Sequence, residues 1–274
     1  MQSWYTDSNI VFKNGTMQIQ AREETGEKLA AVQQTCWDRC GQVCAHEWGV
    51  ADDHLDGCVK DCGNHRCPQA RFTSSRIRTY GKFSISPHEG GYSGVKIEAK
   101  IKLKCGKGMW PAFWMLPETG SSPECSGCGQ YGVWPASGEI DIMEMFGGKE
   151  SLNKIHGTLH YGGVGAWSHK TMTAELKPTK DDFHVYAIEW NRDRITWLLD
   201  GEKYGSVVRA TDNSPGWWTT GSAHGPFDVN FHILLNLAVG GEYTGNTPPD
   251  VISKTIAWEQ QYMEVDYVRV YGRK

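Results

Sequence analysis

The chain has 274 residues, of which 39% are hydrophobic and 11% aromatic, and it carries a net charge of -4 with a pI near 6.2. That length supports one large core or two smaller ones. The slightly acidic balance excludes the basic footprint of a nucleic-acid binder, and no apolar run of about 18 residues is present to span a bilayer as a helix.

The opening "MQSWYTDSN" lacks the basic-then-apolar layout of a signal peptide, so the expectation is a trimmed mature chain behind a start Met. Asn14-Gly15-Thr16 is a glycosylation sequon. "NG" is also a strong tight-turn signal, which is the preferred reading. Residues 31–68 hold two cysteine triplets, Cys36, Cys40, Cys44 and Cys58, Cys62, Cys67. Spacings of four or so place each triplet on one face of a helix. Two antiparallel helices would favour the nested pairs 36–67, 40–62 and 44–58, although six cysteines allow many other pairings. The spacing is similar to that of α-hairpinin peptides. Zinc is the competing use, but C-x3-C-x3-C is an unusual zinc spacing.

Beyond the cysteine segment, short alternating runs dominate. In "VKIEAKIKLK" (95–104), Val95, Ile97, Ala99, Ile101 and Leu103 share one face, with charges on the other. "FHVYAIEW", "DRITWLLDG", "NFHILLNLAVG" and "YMEVDYVRVYG" are of similar length, with turn residues between them. The pattern predicts an all-β sandwich or jelly roll in a single domain over 1–274, with 31–68 as a disulfide-stapled helical insertion. Asp200-Gly201 is expected to turn a hairpin. Cys105, Cys125 and Cys128 remain, with a 105–125 or 105–128 bridge expected and one cysteine left over. So many cysteines point to an oxidising, extracellular setting.

The chemistry concentrates in "GEIDIMEMFGG" (138–148). Glu139 and Asp141 share a strand face, but Glu144 lies at an odd offset and would point away. One β-bulge at Ile142-Met143 resets the alternation and turns all three acids to one side. Two Glu carboxyls about 5–5.5 Å apart suit a retaining glycosidase, in which one attacks the anomeric carbon and the other protonates the leaving oxygen. Trp110, Ala112 and Trp114 share a face of "GMWPAFWMLP", and indole rings stack well on the C–H face of a pyranose. Trp217-Trp218, in a Gly/Pro/Ser-rich loop, are candidates for a distant subsite wall. His156 and His160 lie about 13 Å apart along a strand, too far to share a metal.

E-I-D-x-x-E preceded by "WPASG" resembles the bulged signature of glycoside hydrolase family 16, and "GKGMWPAFWMLP" resembles its laminarinase branch, the endo-β-1,3-glucanases. Further likeness runs through "IHGTLHYGG" (155–163) and the later strands, covering about residues 4–30 and 71–274. The resemblance implies a β-jelly-roll sandwich of two antiparallel sheets with a concave substrate cleft. It implies Glu139 as nucleophile, Glu144 as general acid/base and Asp141 as assisting acid. Trp114 and Trp134 match sugar-stacking positions, His160 a histidine near the acid/base, and Asn9 and Arg76 polar residues of the minus subsites. No cofactor is required, and a structural Ca²⁺ is allowed for, with Asp266 matching only the last-strand part of its site. The expected protein is a secreted, monomeric, retaining enzyme hydrolysing β-glucan, with neither nucleic acid nor membrane as partner. Alternatives are action on mixed-linkage glucan or another polysaccharide, transglycosylation, and non-catalytic β-glucan binding.

Overall fold

The alternation of "VKIEAKIKLK" becomes strand β6 (Gly94–Lys104), whose Val95, Ile97, Ala99, Ile101 and Leu103 are all buried. Its lysines face the other way and pair with acids, Lys96 with Glu98 and Lys102 with Glu264, both at 2.8 Å. Burying each large aliphatic side chain contributes ~1.5–3 kcal/mol, more than a half-buried ion pair of this kind supplies. The computed structural model describes residues 3–42, 44, 52–67, 70–87, 91–118, 128–148, 151–211, 213–258 and 261–274.

Two sheets enclose the core. The six-stranded sheet runs β10 (Ala166–Glu175), β9 (Lys154–Gly163), β8 (Glu139–Glu144), β7 (Met109–Pro117), β14 (Phe231–Val239) and β5 (Arg76–Arg78). The nine-stranded sheet orders β1 (Ser3–Tyr5), β4 (Phe72–Ser74), β3 (Thr16–Glu23), β15 (Gln261–Arg273) and β6. It continues through β11 (Phe183–Asn191), β12 (Arg194–Leu199) and β13 (Glu202–Val208), with β2 (Ile10–Lys13) added on β3. The sheets are antiparallel as expected, except that β1 and β4 run parallel. Trp190, Trp197, Phe113 and Phe231 are fully buried between them.

The turn chemistry follows the sequence. Asn14-Gly15 and Asp200-Gly201 have positive φ at both residues, 53° and 81°, then 52° and 86°. That is the geometry of the tight hairpin turns that join β2 to β3 and β12 to β13.

The cysteine segment forms two helices, α1 (Gly26–Gln42) and α2 (Asp52–Arg66), so the insertion begins about five residues before the expected 31. Its bridges are Cys36–Cys67, Cys40–Cys62 and Cys44–Cys58, the nested set. With all six sulfurs oxidised, no thiolate is left for zinc. Gly63 lets the helices close, since a Cβ there would sit 2.1 Å from the Trp37 ring. The bridges pack with Val32, Ala70 and Trp4 in a small cluster of their own. Trp4 belongs to β1, so the hairpin is seated on the sandwich beside Tyr5.

One disulfide expectation fails. Cys105 is free and buried, while Cys128 is disulfide-bonded, so neither a 105–125 nor a 105–128 bridge forms. Cys105 closes strand β6 inside the core, where its Sγ faces the Tyr262 carbonyl at 3.4 Å. Cys125 lies outside the described residues.

Candidate active site

The register of β8 with its neighbours locates the bulge. On β7, Phe113 pairs with Met143 and the next residue, Trp114, pairs with Asp141, so Ile142 is skipped. On β9, Thr158 pairs with Asp141 and His156 with Glu144, so two residues of β8 oppose Gly157 alone. Ile142 and Met143 both enter the core, and Glu139, Asp141 and Glu144 all line the concave face. The bulge has a dedicated support. Trp197, from the opposite sheet, donates its indole N–H to the Asp141 carbonyl at 2.8 Å. Gly157 makes room for that ring, since a Cβ there would lie 2.3 Å from Trp197 Cδ1.

Each glutamate has an indole donor. Trp134 Nε1 donates to Glu139 Oε2 and Trp110 Nε1 to Glu144 Oε1, both at 2.9 Å. His160 Nε2 lies 3.2 Å from Asp141 Oδ2. Its other nitrogen, Nδ1, accepts the Trp167 N–H at 3.2 Å. Burial holds all three carboxyls above the ordinary carboxylate range. For Glu139 the Asp141 charge adds to burial, and for Asp141 the Glu144 charge does so. Glu144 is pushed up to about 7, mainly by burial, with the Trp110 hydrogen bond opposing and the Glu139 charge reinforcing the rise. Titratable groups displaced in this way are the mark of proton-transfer sites.

The cleft has two lobes that meet at the glutamates. One, of about 180 Å³, is lined by Tyr5, Arg76, Trp110, Trp114 and Asn236 beside the acids. The other, of about 260 Å³, is lined by Trp110, Trp134, His156, His160, Trp167 and Tyr243, among others. A larger hollow of about 490 Å³ around Asn191–Arg194 lies at the far edge of the other sheet and holds no pair of carboxylates.

The structure thus brings Glu139, Asp141, Glu144, Trp110, Trp114, Trp134, His160 and Arg76 to one cleft. Three expected residues lie elsewhere. Asn9 is fully buried behind the cleft, where its Nδ2 donates to the Gln20 carbonyl and Thr73 Oγ1 and its Oδ1 accepts from Thr6. It braces the N-terminal strands instead of meeting sugar. Trp217 is also fully buried, packed edge-on against Phe227, and only Trp218 is exposed. Asp266 sits on the convex face with its carboxylate 2.8 Å from Lys100 Nζ. That carboxylate thus already has a lysine partner. Glu139, Asp141 and His160 offer three ligand atoms within 4.8 Å of one another. Glu139 already accepts the Trp134 N–H and His160 Nδ1 the Trp167 N–H.

Several lining residues escape sequence reasoning. Asn236 accepts the Trp114 N–H at 2.7 Å, from the middle of an all-buried strand where it is the sole amide, a signal the alternation of the strand does not carry. Tyr243, out of a short loop helix, meets Trp110 in a tilted contact with ring centroids 4.7 Å apart. Trp167 and His169 are visible only as every-second residues of β10.

A jelly-roll sandwich whose bulged strand presents paired glutamates in an aromatic cleft defines a glycoside hydrolase. Residues 1–229 match the profile of Glycosyl hydrolases family 16, and the chain belongs to that family. It is 35% identical over 205 residues to a glucan endo-1,3-beta-glucosidase of Cryptopygus antarcticus, covering 74% of this chain and 67% of that one. It is 36% identical over 209 residues to a beta-glucanase of Rhodothermus marinus, covering 73% of this chain and 62% of that one. Among solved structures, the endo-beta-1,3-glucanase of Pyrococcus furiosus superposes with a TM-score of 0.63 at 33% identity, covering 99% of this chain and 80% of that one. Among the described residues, no helix is long and apolar enough to cross a membrane.

Proposed function

We propose that this chain is a secreted, monomeric endo-β-1,3-glucanase that acts by double displacement with retention at the anomeric carbon. The observation that carries the mechanism is the bulge, which sets Glu139 and Glu144 on one cleft face with an indole donor on each. Glu139 attacks the anomeric carbon as the glycosidic C–O bond breaks, and the Glu144 proton passes to the leaving oxygen. Water then attacks the same carbon, Glu144 takes its proton, and the ester to Glu139 breaks. Asp141, with His160 on its far side, lies between the two and holds the charge pattern while Glu139 is covalently occupied.

The substrate assignment is supported by the names of the relatives and by the tryptophan floor of Trp110 and Trp114. Three described disulfides favour an oxidising compartment. Glu139→Gln should lower hydrolysis of soluble β-1,3-glucan by at least ~10²–10⁴-fold. Near-full activity in that variant would refute the mechanism. Wild-type product analysis on β-1,3-glucan, mixed-linkage glucan and agarose tests the substrate, and NMR of the first-formed anomer tests retention.

A further inference from the structure

Strand β10 is the free edge of the cleft sheet, and its alternation is unusual. Trp167, His169, Thr171 and Thr173 are exposed on one face, while Met172 and Ala174 pack against the core on the other. The exposed face continues the concave surface, because His169 pairs with His160 and Thr171 with Thr158 on β9. Edge strands are commonly protected by charge or proline. Here the edge presents an indole that is 53% exposed.

That indole is held in place. Its N–H is engaged by His160 Nδ1 at 3.2 Å, and its ring stacks on His169 at 4.9 Å and 22°. The Trp134 ring, itself 40% exposed, lies 5.9 Å away. The lobe that these rings line contains no Lys or Arg. A half-exposed aromatic platform beside hydrogen-bonding His and Thr groups, with the two glutamates as the lobe's carboxyls, fits the C–H face and hydroxyls of a neutral pyranose. A sulfated or uronic-acid unit would lack a counter-charge there.

We infer that Trp167 and His169, with Trp134, form a sugar-binding subsite on the leaving-group side of the scissile bond, where edge strand β10 holds a neutral glucopyranose unit of the departing chain. The side is taken from Arg76, which lines the opposite lobe across the glutamates and which the family resemblance places on the glycosyl half of the substrate. The inference rests on the proposed β-1,3-glucanase reading and adds which residues set the number of sugars held beyond the cut.

The test is the cleavage pattern of β-1,3-gluco-oligosaccharides of graded length, labelled at the reducing end. Trp167→Ala should move the preferred cut toward the reducing end by about one glucose and raise KM for the longer chains about tenfold, with kcat altered less. Trp167→Phe keeps a ring but loses the N–H, and should restore most of the wild-type pattern. His169→Ala should shift the pattern in the same direction, to a smaller extent. If Trp167 acts only through His160, Trp167→Phe will resemble Trp167→Ala, the pH profile will move and the cut position will not, and the inference is overturned. Unchanged patterns in both alanine variants overturn it as well. A wild-type enzyme that cuts none of these oligosaccharides refutes the β-1,3-glucanase reading itself, and the subsite falls with it.

Discussion

Glu144 is where burial and function pull together. A carboxyl held at about 7 keeps its proton through most of the acidic range, as a general acid must. Glycosidase kcat/KM is therefore expected to fall as pH rises through about 7, and a limb at the ordinary carboxylate value would contradict the assignment. The same displacement bears on stability. The folded carboxyl binds a proton that the unfolded one releases above its ordinary value of 4.5, so stability falls as pH rises from there to about 7. Denaturant melts of wild type and Glu144→Gln should show this slope in the first and a shallower one in the second. Trp110 modulates the value, since its N–H stabilises the ionised form. Trp110→Phe should shift the limb to higher pH, and a downward shift in the pH–rate profile would refute this role.

Strand β8 shows how an element converts sequence into a site. Its bulge was legible because the odd spacing of Glu139 and Glu144 admits no other way for both to face the cleft. What supports the bulge was not legible: Gly157 and Trp197 are distant in sequence, and a lone glycine in a strand carries no sign of its partner. Gly157→Ala would force a methyl into the Trp197 ring and should cost several kcal/mol or displace Glu144, as calorimetry and residual activity would reveal. Trp197→Phe leaves the bulged carbonyl without its donor and a gap in the core, and should cost at least ~1–3 kcal/mol. Alternation exposed Trp110 and Trp114 correctly. Other cues did not reach as far: the resemblance put Asn9 among the sugar-binding residues, whereas its polarity serves buried backbone, and the Gly-rich surroundings of Trp217 suggest a surface loop although the ring fills the core.

Across the whole molecule, two ways of holding a chain together coexist. The sandwich relies on buried apolar area, whereas the α1–α2 hairpin has a small core and three nested bridges, each worth ~2–4 kcal/mol. Replacing Cys40 and Cys62 by Ala should loosen residues 26–66 in hydrogen exchange while kcat stays within about twofold, because the hairpin meets the sandwich at Trp4 and not at the glutamates. Helical spacing favoured the pairing that forms, among the many that six cysteines allow. The fate of Cys105 was not, because nothing local tells a cysteine buried at a strand end from one awaiting a partner. Its consequence reaches beyond structure. Burial pushes the Cys105 thiol up to about 12, so it is silent toward thiol reagents while the two sheets stay closed. The one free thiol among the described cysteines is thus a native clock: the rate at which it is labelled measures how often the sandwich opens.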